Sequence, residues 1–218
     1  MTWVLGNLEM IRDLTVEHLW FALLPVVLGL VIAIPLGWLA NRTGAGRTIT
    51  INLAGLMYTV PSLALFVMLP LVLGTQILDP LNVIVALTVY TVALLVRTVA
   101  DALSAVPPVI VNAATAMGYT PARRFVAVEL PMAIPVILAG LRVAAVSSIS
   151  LVTVGSVIGF GGLGKMFTDG FQRDIPQEII AGILLVLIMA LVVDGLILLL
   201  GRALTPWDRI GQAAGRAT

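Results

Sequence analysis

Residues 179–200 read IIAGILLVLIMALVVDGLILLL, a run of 22 positions interrupted by one charge, Asp194. At about 1.5 Å of rise per residue, a run of this length crosses the roughly 30 Å hydrocarbon core of a bilayer. It is also too evenly apolar for a helix that buries only one face. Four further runs lie upstream, at 19–40, 51–73, 82–96 and 133–155. The third is short, and it extends to Ala100 if Arg97 snorkels to the interface. Composition agrees: of 218 residues, 60% are hydrophobic and 11% charged, with a mean hydropathy of +1.12, against about 45–50% and about 25% in soluble domains. The expected fold is an all-α polytopic membrane protein with five transmembrane helices, surrounded by membrane lipid. A net charge of +1 provides no polyanion-binding surface, which excludes nucleic acid as a partner. The absence of cysteine excludes disulfides, thiolate metal sites and a catalytic thiol.

Outside the runs, Val4, Leu8, Ile11 and Leu14 form an apolar stripe beneath Glu9, Arg12, Asp13 and Glu17, the pattern of an interfacial helix over residues 1–18. The charges ahead of the first run are mainly negative, unlike the basic start of a secretory signal. Basic residues alternate in density between connections. Arg42, Arg47, Arg97, Arg123, Arg124, Arg202, Arg209 and Arg216 fall in alternate segments, against Arg12, Lys165 and Arg173 in the others, eight to three. The positive-inside rule then puts the amino terminus outside and the carboxyl terminus in the cytoplasm. The expected division is an extracytoplasmic segment 1–18, a transmembrane domain 19–206 and a cytoplasmic tail 207–218. His18, the only histidine, reads as an interfacial residue.

The cytoplasmic segment between the third and fourth runs is too long for a turn. Pro107 and Pro108 suit the first turn of a short helix running to Met117, with Gly118 as a left-handed C-cap. Thr120 and Pro121 supply the cap and first turn of a second helix ending near Leu130 and Pro131. Two charges lie within runs. Arg142 is nine residues past Ala133 and Asp194 ten before Leu204, which places both roughly 13–15 Å from the cytoplasmic side. Opposite charges at one depth are expected to face each other or a wet cavity. Pro61 and Ser62, within the second run, form a candidate kink beside the transport pathway; Pro25, Pro35 and Pro70 are weaker cases.

Gly159, Gly161 and Gly164 satisfy GxGxxG, and Gly162 lies between them. A dinucleotide fingerprint needs a preceding strand, whereas a membrane run precedes this one, so the segment reads as a tight extracytoplasmic turn. There is no P-loop pattern, no Ser-His-Asp set, no carboxylate pair and no metal-ligand cluster in the sequence. The chain is therefore expected to be a transport component, not an enzyme, with no cofactor of its own.

The segment from Asn112 to Pro131, NAATAMGYTPARRFVAVELP, resembles the EAA loop of ABC importer permeases, with Ala113, Ala114, Gly118, Leu130 and Pro131 in register and Asn112 where glutamate is usual. MYTVPSLALF (57–66), IPVILAGLR (134–142) and IGFGGLG (158–164) are similar to the permeases of osmoprotectant importers for glycine betaine, choline or carnitine. The methionine-importer permeases are the nearest alternative. The resemblance implies that a loop at about 101–131, including Arg123, Arg124, Phe125 and Glu129, docks on an ATP-hydrolysing subunit. It also implies a second permease subunit, identical or paralogous, two cytoplasmic ATP-binding subunits that hold the ATP, an extracytoplasmic binding protein and a bacterial or archaeal cytoplasmic membrane. A different class, an ion-coupled transporter or channel subunit, would be expected to carry more ionisable groups in its spans than Arg142 and Asp194.

Overall fold

The computed structural model describes residues 2–206, and every regular element in them is helical. The tail at 207–218, with Arg209 and Arg216, lies outside the described residues. A short helix, α1 (Thr2–Gly6), leads into α2 (Leu8–Ala40), which passes through Pro25 and Pro35 without a break. The amphipathic stretch is thus no separate surface helix but the opening turns of the first membrane helix. Glu9, Arg12, Asp13 and Glu17 remain exposed and Ile11 is buried, but Leu8 is exposed, so the expected apolar stripe is incomplete.

The second apolar run is not one helix. It forms α3 (Gly44–Thr59) and α4 (Ser62–Leu73), bent by 101° at the residues between them. Pro61 explains the break, because its ring pushes Val60 out of helical conformation, and both residues are extended, with ψ of 130°. A full break therefore replaces the expected kink. Among the described residues, four helices are long and apolar enough to cross a membrane, and the bent pair makes a fifth crossing if counted as one.

The central helix is α5 (Pro80–Ser104), begun by Pro80 and by an Asp79 cap that accepts from the Leu81 amide at 2.9 Å. Small residues bring its neighbours close. Gly29, Ala33 and Gly37 on α2 lie against it, and a Cβ at Gly37 would come within 2.6 Å of Val99 Cγ1. This four-residue spacing of small side chains is how membrane helices gain contact area where water provides no drive to associate.

Beyond α5, α6 (Pro108–Ala116) and α7 (Pro121–Arg124) form the two-helix element expected between the third and fourth runs. The second of these does not stop near Leu130 and Pro131 as expected. It passes through a π turn (Phe125–Glu129) directly into α8 (Leu130–Gly155), a continuous rod from Pro121 to Ile158. The wider turn, in which the Leu130 amide donates to the Phe125 carbonyl, makes room for a prolyl ring that would strike the carbonyl of a regular turn. After a glycine turn, α9 (Lys165–Gln172) and α10 (Pro176–Leu204) are the last helices among the described residues, with α10 packed on α8 and α9.

Candidate functional site

At the two-helix element, Pro107 and Pro108 occupy the cap and first position of α6, and Gly118 has φ of +84° in the turn after it. The Thr120 hydroxyl accepts from the Arg123 amide and starts α7. Arg124 braces the element from inside: its Nε donates to Glu129 at 2.5 Å and its Nη1 to the Thr115 hydroxyl at 2.8 Å. Arg123 lies 4.6 Å over the Tyr119 ring. Phe125 is buried against Trp38 of α2, ring centroids 5.0 Å apart, and Arg42 covers the same indole. Ala114 also faces inward, whereas Asn112 and Ala113 are exposed beside Val109 and Met117, which are 72% and 69% open. The element is therefore fixed to the bundle on one face and presents small and apolar side chains on the other.

Deeper in the bundle, Arg142 of α8 grips Asp194 of α10 with two hydrogen bonds, Nε to Oδ1 and Nη2 to Oδ2, both 2.7 Å. This fork geometry fixes the direction of both side chains as well as their separation. A cavity of about 810 Å³ opens beside the pair between α8 and α10, bordered by Pro135, Leu138 and Arg202. At the break after α3, the Tyr90 hydroxyl of α5 donates to the Val60 carbonyl, one of the acceptors the break releases. Ser62 is the first residue of α4 and is partly buried.

At the opposite end of α8, Gly159 and Gly162 hold φ of +93° and +78°, and Gly164 is the N-cap residue of α9. The turn is clamped to α2. The Gly162 amide donates to Glu17 at 2.9 Å, and Gly161 sits so close to the same carboxylate that a Cβ would overlap it. The Leu163 amide donates to His18 Nδ1 at 3.1 Å, so Nε2 carries the proton and donates to the Ile149 carbonyl at 3.0 Å. His18 is fully buried, which corrects its reading as an interfacial residue: it joins three elements at one point.

Residues 22–206 match the family of binding-protein-dependent transport system inner membrane components. The chain belongs to this ABC importer permease family. It is 37% identical, over 94% of its length and 96% of the relative's, to the osmoprotectant import permease protein OsmW of Salmonella typhimurium. It is 35% identical, over 88% of its length and 87% of the relative's, to the choline transport system permease protein OpuBB of Bacillus subtilis. In structure it resembles a chain of the MetNI methionine ABC transporter in an inward-facing conformation, with a TM-score of 0.80 and 24% identity over 92% of this chain and 98% of that one, a likeness of fold. The permease is thus a multi-pass membrane component of an importer that works with ATP-binding and substrate-binding partners.

In this permease, resemblance marks the loop residues and depth marks the two span charges, whereas no signal in the sequence connects Glu17 and His18 to the glycine turn. Their partners lie 145 residues away in sequence, and no periodicity reports contacts at that separation. A third missed residue is Glu178, buried in the first turn of α10. One of its oxygens, Oε2, has no hydrogen-bond partner among the described residues. The helix N-terminus favours a carboxylate there, a signal the sequence does carry.

Proposed function

We propose that this permease forms, with a second permease subunit, the membrane pathway for a small quaternary-ammonium osmoprotectant such as glycine betaine or choline, and that α6 and α7 receive the motion of the ATP-hydrolysing subunits. The observation that carries the reading is the shape of the cytoplasmic element: one face pinned by Phe125 and Arg124, the other presenting Val109, Asn112, Ala113 and Met117. Small residues permit close docking, and exposed apolar side chains at a membrane-free end of the molecule suit a partner surface. The substrate class rests on the relatives named for osmoprotectants and choline.

Motion has a continuous route. A push on α7 reaches the outer end of α8 because no break separates Pro121 from Ile158. The Arg142–Asp194 fork couples α8 to α10, and the Glu17–His18 clamp couples the far end of α8 to α2. Rotation of α8 would therefore carry the three helices together, as a shift between inward- and outward-facing states requires. ATP is held by the partner subunits in this reading, and the permease contributes binding, orientation and transmission.

The test is reconstitution of the permease with its ATPase and binding protein in proteoliposomes. ATP-dependent uptake of labelled glycine betaine, choline or carnitine is the expected result. Uptake of methionine with none of the quaternary compounds would reassign the substrate to the amino-acid class, and uptake driven by an ion gradient without ATP would overturn the coupling role.

A further inference from the structure

We propose that Tyr58, backed by Tyr90 at the break between α3 and α4, is a cation–π station for a quaternary ammonium group within the membrane pathway. The inference rests on the substrate reading above and adds a place in the chain where that substrate is held in transit. The protein has only three tyrosines, and two of them meet here, ring centroids 5.9 Å apart and nearly perpendicular at 84°. Tyr90 is 6% exposed and its hydroxyl is committed to the Val60 carbonyl, so its ring is fixed in place. Tyr58 is 47% exposed and free to meet a ligand.

Although α3 exposes Leu53, Leu56 and Met57, one side of Tyr58 borders polar surface. Thr48, Asn52, Gly55 and Thr59 are all exposed and follow one another at helical spacing along α3, which makes a polar stripe within an apolar crossing. Tyr58 lies about 100° around the helix from Thr59, on the edge of the stripe. A span with a polar face and a broken backbone is tolerated where it lines protein or a wet cavity, and broken helices are where membrane carriers bind their cargo.

The chemistry selects the ligand. Among the described residues that line the space at the tyrosine pair none is acidic, so no carboxylate there traps a cation. An aromatic face attracts a desolvated quaternary ammonium through its quadrupole without a full countercharge, a weak hold that permits release. The enclosed space between Tyr58, Tyr90, Thr91 and Ser147 is only about 10 Å³, near the volume a single water needs. The cation therefore sits on the open side of Tyr58.

The experiment is uptake of labelled glycine betaine and choline by the reconstituted importer carrying Tyr58→Phe, Tyr58→Leu or a tetrafluorinated phenylalanine at 58, which keeps ring shape while withdrawing its electron density. Tyr58→Phe is expected to transport within about twofold of wild type, and the Leu and fluorinated variants about tenfold more slowly. Equal rates for Phe and its fluorinated form overturn the station while leaving the substrate reading intact. If Tyr58→Leu fails to assemble, the Phe and fluorinated pair alone decides, since the two rings match in shape. A wild-type importer that moves no quaternary ammonium compound overturns the substrate reading, and the station with it.

Discussion

A Cβ at Gly164 would lie 2.7 Å from the Thr153 carbonyl oxygen and 2.8 Å from Thr153 Cα, contacts to backbone that cannot swing aside. Gly164→Ala is therefore expected to destabilise the permease by about 1–3 kcal/mol, the range for overpacking a closed site. Gly195→Ala, where nothing lies within 4 Å of the added Cβ, should stay within about 0.5 kcal/mol of wild type; thermal melts in detergent compare the two. The Arg142–Asp194 fork makes a second prediction at this scale. Removing one partner strands a charge inside the membrane, while removing both leaves apolar side chains that pack. Arg142→Met and Asp194→Leu should each lower the melting temperature more than the double variant does, and additive losses would contradict a coupled pair. The depth of these charges is legible by counting along each span, but the direction each side chain takes around its helix is not. It depends on how α8 and α10 are rotated, which packing sets. His18 was less legible still, because a lone histidine at the edge of an apolar run gives no hint of a turn 145 residues later.

At the scale of elements, starts were easier to read than ends. Pro107, Pro108, Thr120 and Pro121 announce where α6 and α7 begin, since a proline near a helix start loses only an amide that had no partner. Pro131 misled as a stop signal because a π turn just upstream absorbs it and the helix continues as α8. Pro61 acted more strongly than a kink because Val60 before it is also driven out of the helix. Between α6 and α7 the sequence and the backbone meet at Gly118, where φ is +84° and a Cβ would meet nothing within 4 Å. Space is not the constraint there. A branched side chain would instead have to hold a left-handed conformation at a cost of about 1–3 kcal/mol, whereas asparagine adopts it more readily. Gly118→Val is expected to insert normally and to lose stimulation of the ATPase by loaded binding protein, and Gly118→Asn to retain most of it. Wild-type stimulation in the Val variant would remove α6 and α7 from the coupling route.

For the whole molecule, the contacts define two distinct ends. One gathers Arg42, Arg47, Arg97, Arg123 and Arg124, with Arg47 paired to Asp101 and Arg42 over Trp38; the other gathers Glu17, His18 and the glycine turn beside α9. Charge predicts which end faces the cytoplasm. Basic residues near span ends resist translocation, and those in the described connections are six at the first end, counting Arg202, against Arg12, Lys165 and Arg173 at the other. Since the chain contains no cysteine, single replacements report on topology without background. Gln76 and Gln172 are exposed at one end and Asn112 at the other. In intact cells, an impermeant thiol reagent should label Gln76→Cys and Gln172→Cys and leave Asn112→Cys unmodified until the membrane is opened. The opposite pattern would put α6 outside, where no ATPase could reach Val109 or Met117, and the coupling role would fall together with the orientation.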